Sequence, residues 1–99
     1  MMLYTEKGEF ELLKEYKNAF VMDDFNKRYQ EILDLYPYIV GDYSDGILRL
    51  KGFKEKSEEG KKNGVKNIPD YIVESCIYDA PYYILKNSHY NPNKKISED

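Results

Sequence analysis

His89, Cys76 and a few paired carboxylates are the side chains here that could attack, ligate or move a proton, and their spacing limits what they can do. His89 is the only histidine and lies near the C-terminal end. A Ser-His-Asp or Cys-His arrangement would need that end to fold back onto a nucleophile. Cys76, the single cysteine, follows Ile72 and Val73 at helical spacing, where a thiol packs as a small hydrophobe. One Cys and one His thirteen positions apart match no zinc spacing. Asp70 with Glu74, and Glu31 with Asp34, each share a helix face, which reads as solvated surface before it reads as a cation site. Gly41, Gly46 and Gly52 crowd one segment, yet no helix follows to receive a phosphate, so they read as turn and close-packing glycines. No cofactor and no metal is expected, and the sequence leans against an enzyme.

The unlike chemistry gathers instead in "YPYIVGDYSDGILRLKGF", Tyr36 to Phe53. Asp45-Gly46 suits a type I′ turn, whose two central positions need positive φ. A tight two-residue turn sets Ser44 opposite Ile47, Asp42 opposite Arg49, Val40 opposite Lys51 and Tyr38 opposite Phe53, while a four-residue turn over Tyr43 to Gly46 shifts these pairs and keeps the same faces. Ile39, Leu48 and Leu50 then share the side that belongs to the core. Tyr38, Val40, Asp42, Ile47, Arg49, Lys51 and Phe53 share the other, expected to be partly solvated. Tyr38, Asp42, Tyr43, Arg49, Lys51 and Phe53 form the candidate binding set.

A protein partner is the first reading, since aromatic-plus-Arg composition suits interface anchors and the net charge of −3 does not pull toward polyanions. Arg49→Ala is then expected to weaken binding with little loss of stability. Single-stranded RNA or DNA is the alternative, with Tyr38 and Phe53 stacking bases and lysines tracking phosphates. A small-molecule enzyme using Asp42 beside Tyr38 or Tyr43 is a further alternative, and pairing of two copies through an exposed strand edge is a fourth.

The elements that must position these residues follow from periodicity and turn chemistry. Met2–Glu6 and Glu9–Lys14 alternate as a hairpin about Lys7-Gly8. In "DDFNKRYQEILDLY", Phe25, Tyr29, Ile32, Leu33 and Tyr36 form one stripe of an amphipathic helix, with Asp23 as N-cap and Pro37 as its stop. The segment 54–66 has eight charged residues in thirteen, five of them lysines, and reads as a surface loop. "NIPDYIVESCIY" reads as a second helix with Ile68, Ile72, Val73, Cys76 and Ile77 inward, and "YYILK" as a last strand. The order is β-β-α-β-β-loop-α-β, an α+β domain with an antiparallel-rich sheet of about five strands, covered on one face by two helices. A single domain is expected over 1–87 and a polar, disordered tail over 88–99.

At 41% hydrophobic and 33% charged, the 99 residues have the balance of a folding domain and not of a disordered chain. A length of this order supports one core. The apolar runs are far shorter than the ~20 residues needed to span a bilayer, so no membrane association is expected. The lone cysteine fits a reducing cytoplasm.

"YIVGD" (Tyr38 to Asp42), "LRLKGF" (Leu48 to Phe53) and, after the charged loop and a helix, "APYYILK" resemble the YutD-like proteins, small cytoplasmic proteins of Gram-positive bacteria. The resemblance runs from about Tyr4 to Lys86. It implies a compact α+β domain in the cytoplasm and names no activity. The chain departs from the family pattern just after "GD", where Tyr43 is followed by Ser44-Asp45-Gly46 in place of an aromatic pair or a tryptophan.

Overall fold

The computed structural model describes residues 1–95. Positions 96–99, part of the expected tail, lie outside the described residues. The strands are β1 (Met2–Thr5), β2 (Gly8–Tyr16), β3 (Tyr38–Ser44), β4 (Ile47–Phe53) and β5 (Tyr82–Asn87). The helices are α1 (Met22–Arg28) and α2 (Ile68–Ser75), with short 3-10 segments at Glu31–Leu35 and Val65–Asn67. All strand pairings are antiparallel, in the order β1-β2-β5-β3-β4. The expected α+β class and element order hold.

The final strand occupies the centre. β5 pairs with β2 on one side and β3 on the other, which is why Tyr83, Leu85 and Asn87 are almost fully buried. Tyr83 lies across Gly41, its partner in register, and any β-carbon at position 41 would enter the Tyr83 ring. The β3–β4 hairpin takes the register of the two-residue turn, Ser44 opposite Ile47 through Tyr38 opposite Phe53. Asp45 and Gly46 turn with φ of 53° and 79°, the pair of positive angles a type I′ turn requires.

Both faces of the sheet are covered, which corrects the expectation that two helices share one face. α1 packs over Phe10, Ile39, Leu48, Tyr83 and Leu85, with Phe25 as its buried anchor. α2 lies on the opposite face, where Ile68 joins Val40 and Phe53 in a second core edged by Tyr71, Ile72 and Ile84. The alternation that turns Ile39 to one core turns Val40 to the other, so β3 is apolar on both sides.

The first helix is shorter than its stripe of apolar residues indicates. It ends at Tyr29, which takes extended backbone (φ −65°, ψ 129°) before the 3-10 segment begins. Breaking there lets the Tyr29 ring pack on Phe10 and Phe25 and its hydroxyl donate to Asp34, and this tertiary contact outweighs continuous helix. Ile32 is left about half exposed as a result. The helix also begins earlier than expected, with Val21 at the cap and no side-chain cap bond. Asp23 and Asp24 sit within the first turn, where their charge still meets the positive end of the dipole.

α2 is rotated from the expected orientation. Tyr71 packs edge-on against Phe53, with ring centroids 5.3 Å apart, and takes the inward position beside Ile68 and Ile72. Val73 turns outward and is 82% exposed, and Ile77 lies beyond the helix end, about half exposed. A short helix presents one narrow face, and the largest ring claims it.

Candidate functional site

Asp42 is the most buried charge in the structure. Its residue is 1% exposed, and Oδ2 accepts from Arg49 Nη2 at 2.6 Å and Nε at 3.2 Å. The two face each other across the β3–β4 ladder, so strand register alone delivers the pair. Arg49 reaches outward with its side chain 42% exposed, and Nη2 also donates to the Ser75 carbonyl at 3.0 Å. That bond places a cation on the C-terminal end of α2, where the helix dipole favours it. One guanidinium thus neutralises a buried carboxylate and fastens α2 to the sheet. The bond from Asp42 raises the Arg49 pKa further above its usual value.

Asp42 Oδ1 is buried with no hydrogen-bond partner among the described residues. The Cys76 thiol is close by. Burial first, and the Asp42 charge second, push that thiol up to about 11, so it stays protonated near neutral pH and is a poor nucleophile. Cys76 is half-buried rather than a member of the inner helix face.

Lys51 lies next along β4 on the same side as Arg49. Its Nζ sits 4.7 Å from the Tyr71 ring centroid and 5.5 Å from that of Phe53, which holds the ammonium over aromatic faces while the residue stays exposed. Phe53 itself is 0% exposed. Tyr38 is half-buried, its hydroxyl 3.4 Å from Glu55. Tyr43 points to the opposite face, packing on the α1 core and donating to Asp24 at 2.6 Å, and burial followed by that bond pushes its phenol up to about 12. Of the six residues singled out in the sequence, the structure gathers Tyr38, Asp42, Arg49, Lys51 and Phe53 on one face and separates Tyr43. Of these five, Arg49 and Lys51 are the ones exposed to an incoming molecule.

β4 is an edge strand, which only the strand order reveals. The pair beside a two-residue turn exchanges both backbone bonds, so Ile47, Arg49, Lys51 and Phe53 spend their N–H and C=O groups on β3. Leu48, Leu50 and Gly52 aim theirs away from the sheet and meet no backbone partner among the described residues. A cleft of about 490 Å³ lies along this edge, lined by Gln30, Ile32, Tyr36 and Asn63 beside the β4 residues. Among the described residues its charged lining is Arg28, Arg49 and Lys51, with no carboxylate.

Sequence reading missed two further features. His89 folds back onto Phe10, ring centroids 5.1 Å apart, with Nε2 3.4 Å from Asp34 Oδ1. Lys94 pairs with Asp34 at 2.5 Å, and Asn91 N–H donates to the Asp34 carbonyl at 2.8 Å. Burial raises the Asp34 carboxyl, but the bonds from Lys94 and Tyr29 outweigh it and leave its pKa below the usual value. This cluster lies over the α1 core, across the sheet from Cys76, so His89 has no thiol to activate. The second feature is an apolar cleft of about 420 Å³ beside α2, lined by Leu13, Ile72, Val73 and Tyr82 among others. The β-bulge between Leu12 and Lys14, which leaves Leu13 half exposed there, carries no local glycine or proline signal. Among the described residues no three His, Cys, Asp or Glu side chains cluster to hold a metal. No helix there is long and apolar enough to cross a membrane.

The sheet thus carries helices on both faces and a basic lining along its β4 edge. The family profile described as "Putative antitoxin YutD-like" matches residues 4–86, and the chain belongs to the YutD-like family. A relative from Bacillus subtilis (strain 168), named "Putative antitoxin YutD", is 37% identical over 87 residues, covering 86% of this chain and 96% of the relative. The solution NMR structure of the protein yutD from B. subtilis superposes with a TM-score of 0.71 at 32% identity, covering 98% of this chain and 91% of that one.

Proposed function

We propose that the chain is a cytoplasmic, non-enzymatic protein-binding module that docks its partner on the outward side of the β3–β4 hairpin, at Arg49 and Lys51. The observation that carries this reading is the fixing of both cations at the surface, Arg49 by Asp42 and Ser75, and Lys51 over Tyr71. Side chains held in place before binding lose less entropy when they bind. The antitoxin description of the B. subtilis relative fits a chain whose work is to hold another protein. Nucleic-acid binding loses support, because Phe53 is buried beneath Tyr71 and cannot stack a base. An enzyme built on Asp42 loses support as well, since its carboxylate is sealed under Arg49.

Affinity capture from lysate, using the intact chain, Lys51→Glu and the distant control Glu6→Lys, tests the reading. A protein retained by the intact chain and the control but lost with Lys51→Glu is the expected result. Retention indifferent to Lys51→Glu, or recovery of nucleic acid alone, would overturn it.

A further inference from the structure

We infer that the open edge of β4 accepts an extended partner segment as a sixth strand, with acidic side chains at alternate positions meeting Arg49 and Lys51 and apolar ones facing Ile32 and Leu50. The inference rests on the protein-binding reading above and names the chemistry of the partner. Backbone geometry supplies its first support. Leu50 and Gly52, both partly exposed, offer N–H and C=O groups outward, and a strand added at the usual spacing of about 4.8 Å would satisfy them. The chain already uses this edge for itself just beyond β4. Lys54 N–H donates to the Asn63 carbonyl and Val65 N–H to the Lys54 carbonyl, both at 2.7 Å, forming a short parallel bridge between Lys54 and Gly64. Among the described residues self-pairing ends there and leaves the outward groups of Leu50 and Gly52 free, while α1 packs against the Leu48 end of the strand.

Charge supplies the second support. The chain carries a net charge of −3, yet among the described residues the cleft along β4 is lined by Arg28, Arg49 and Lys51 and by no carboxylate. The Asp42 charge is buried beneath Arg49, and Arg49 Nη1 has no protein partner among the described residues. Side chains of an added strand alternate between the faces. One set would lie beside Arg49 and Lys51, and the other against Leu50 and the half-exposed Ile32. Acid on the first set and hydrocarbon on the second complete both.

The same charges disfavour a second copy of this chain. Antiparallel pairing of two β4 strands about Leu50 would set Arg49 of one copy opposite Lys51 of the other, a like-charge contact. An oppositely charged strand meets no such obstacle.

Amide hydrogen exchange of the isotope-labelled chain tests the inference residue by residue. The probes are an acetylated hexapeptide alternating glutamate and valine, its isomer with three glutamates followed by three valines, and the alternating lysine–valine analogue. At saturation the alternating acidic peptide should slow exchange at Leu50 and Gly52 by about tenfold or more. Arg49 and Lys51, already bonded to β3, should change little, and Lys51→Glu should reduce the effect. Equal slowing by all three peptides, or none by the alternating acidic one, would overturn the inference. Shifted Arg49 and Lys51 signals without slowing at 50 and 52 would overturn strand addition and leave the binding-module reading standing. Slowing that grows with protein concentration alone would overturn it in favour of a second copy.

Discussion

Arg49 Nη2 lies 2.6 Å from the carboxylate of Asp42, and the two residues differ sharply in burial, with Asp42 sealed and Arg49 open to solvent. Arg49 therefore has a structural duty beneath its exposed surface. Removing it strands a buried charge, which costs about 3–5 kcal/mol for fully buried pairs and less here because the guanidinium is half solvated. Arg49→Ala should lose about 1–3 kcal/mol by chemical denaturation, and Arg49→Lys less. This replaces the expectation of little stability loss drawn from sequence. Lys51→Glu is the cleaner binding variant, since Lys51 makes no ion pair among the described residues.

Phe53 belongs to the second core. Phe53→Ala should destabilise by about 3–5 kcal/mol, the range for truncating a buried aromatic, and should lower the urea midpoint without changing its slope. A loss below 1 kcal/mol by the same measurement would mean that α2 does not cover this face.

Gly41 accommodates the Tyr83 ring. Gly41→Ala should cost about 1–3 kcal/mol through overpacking, and the double variant Gly41→Ala with Tyr83→Leu should cost less than the sum of the two single changes. Strict additivity in the cycle would show that the two do not touch.

Asp34 ties the C-terminal segment to the α1 side of the sheet. Its folded pKa is lowered from the usual 3.8. The group then contributes stability that is present above 3.8 and is lost as pH falls through the lower folded value. Lys94→Ala should thus be less stable than the parent at pH 6, with the gap closing as pH drops below about 4. A gap independent of pH would separate Lys94 from Asp34.

The hairpin was legible because its information is local. Asp45-Gly46 sets the turn, the turn sets the register, and the register delivers Asp42 to Arg49. The strand order was not legible, because the centre of the sheet is filled by Tyr82–Asn87, more than sixty residues away from its partner β2. Without that order, β4 could not be recognised as an edge. The break at Tyr29 and the rotation of α2 escaped for a related reason. Each is decided by an aromatic ring finding a distant partner, Tyr29 on Phe10 and Tyr71 on Phe53, against a periodicity that pointed elsewhere.

The most direct measurement is amide hydrogen exchange of the chain alone and in complex with the protein it captures. Protection appearing at Leu50 and Gly52, with β5 unchanged because it is already buried, is the result expected. Protection confined to the apolar surface around Leu13 and Val73, with β4 exchanging as before, would contradict the account.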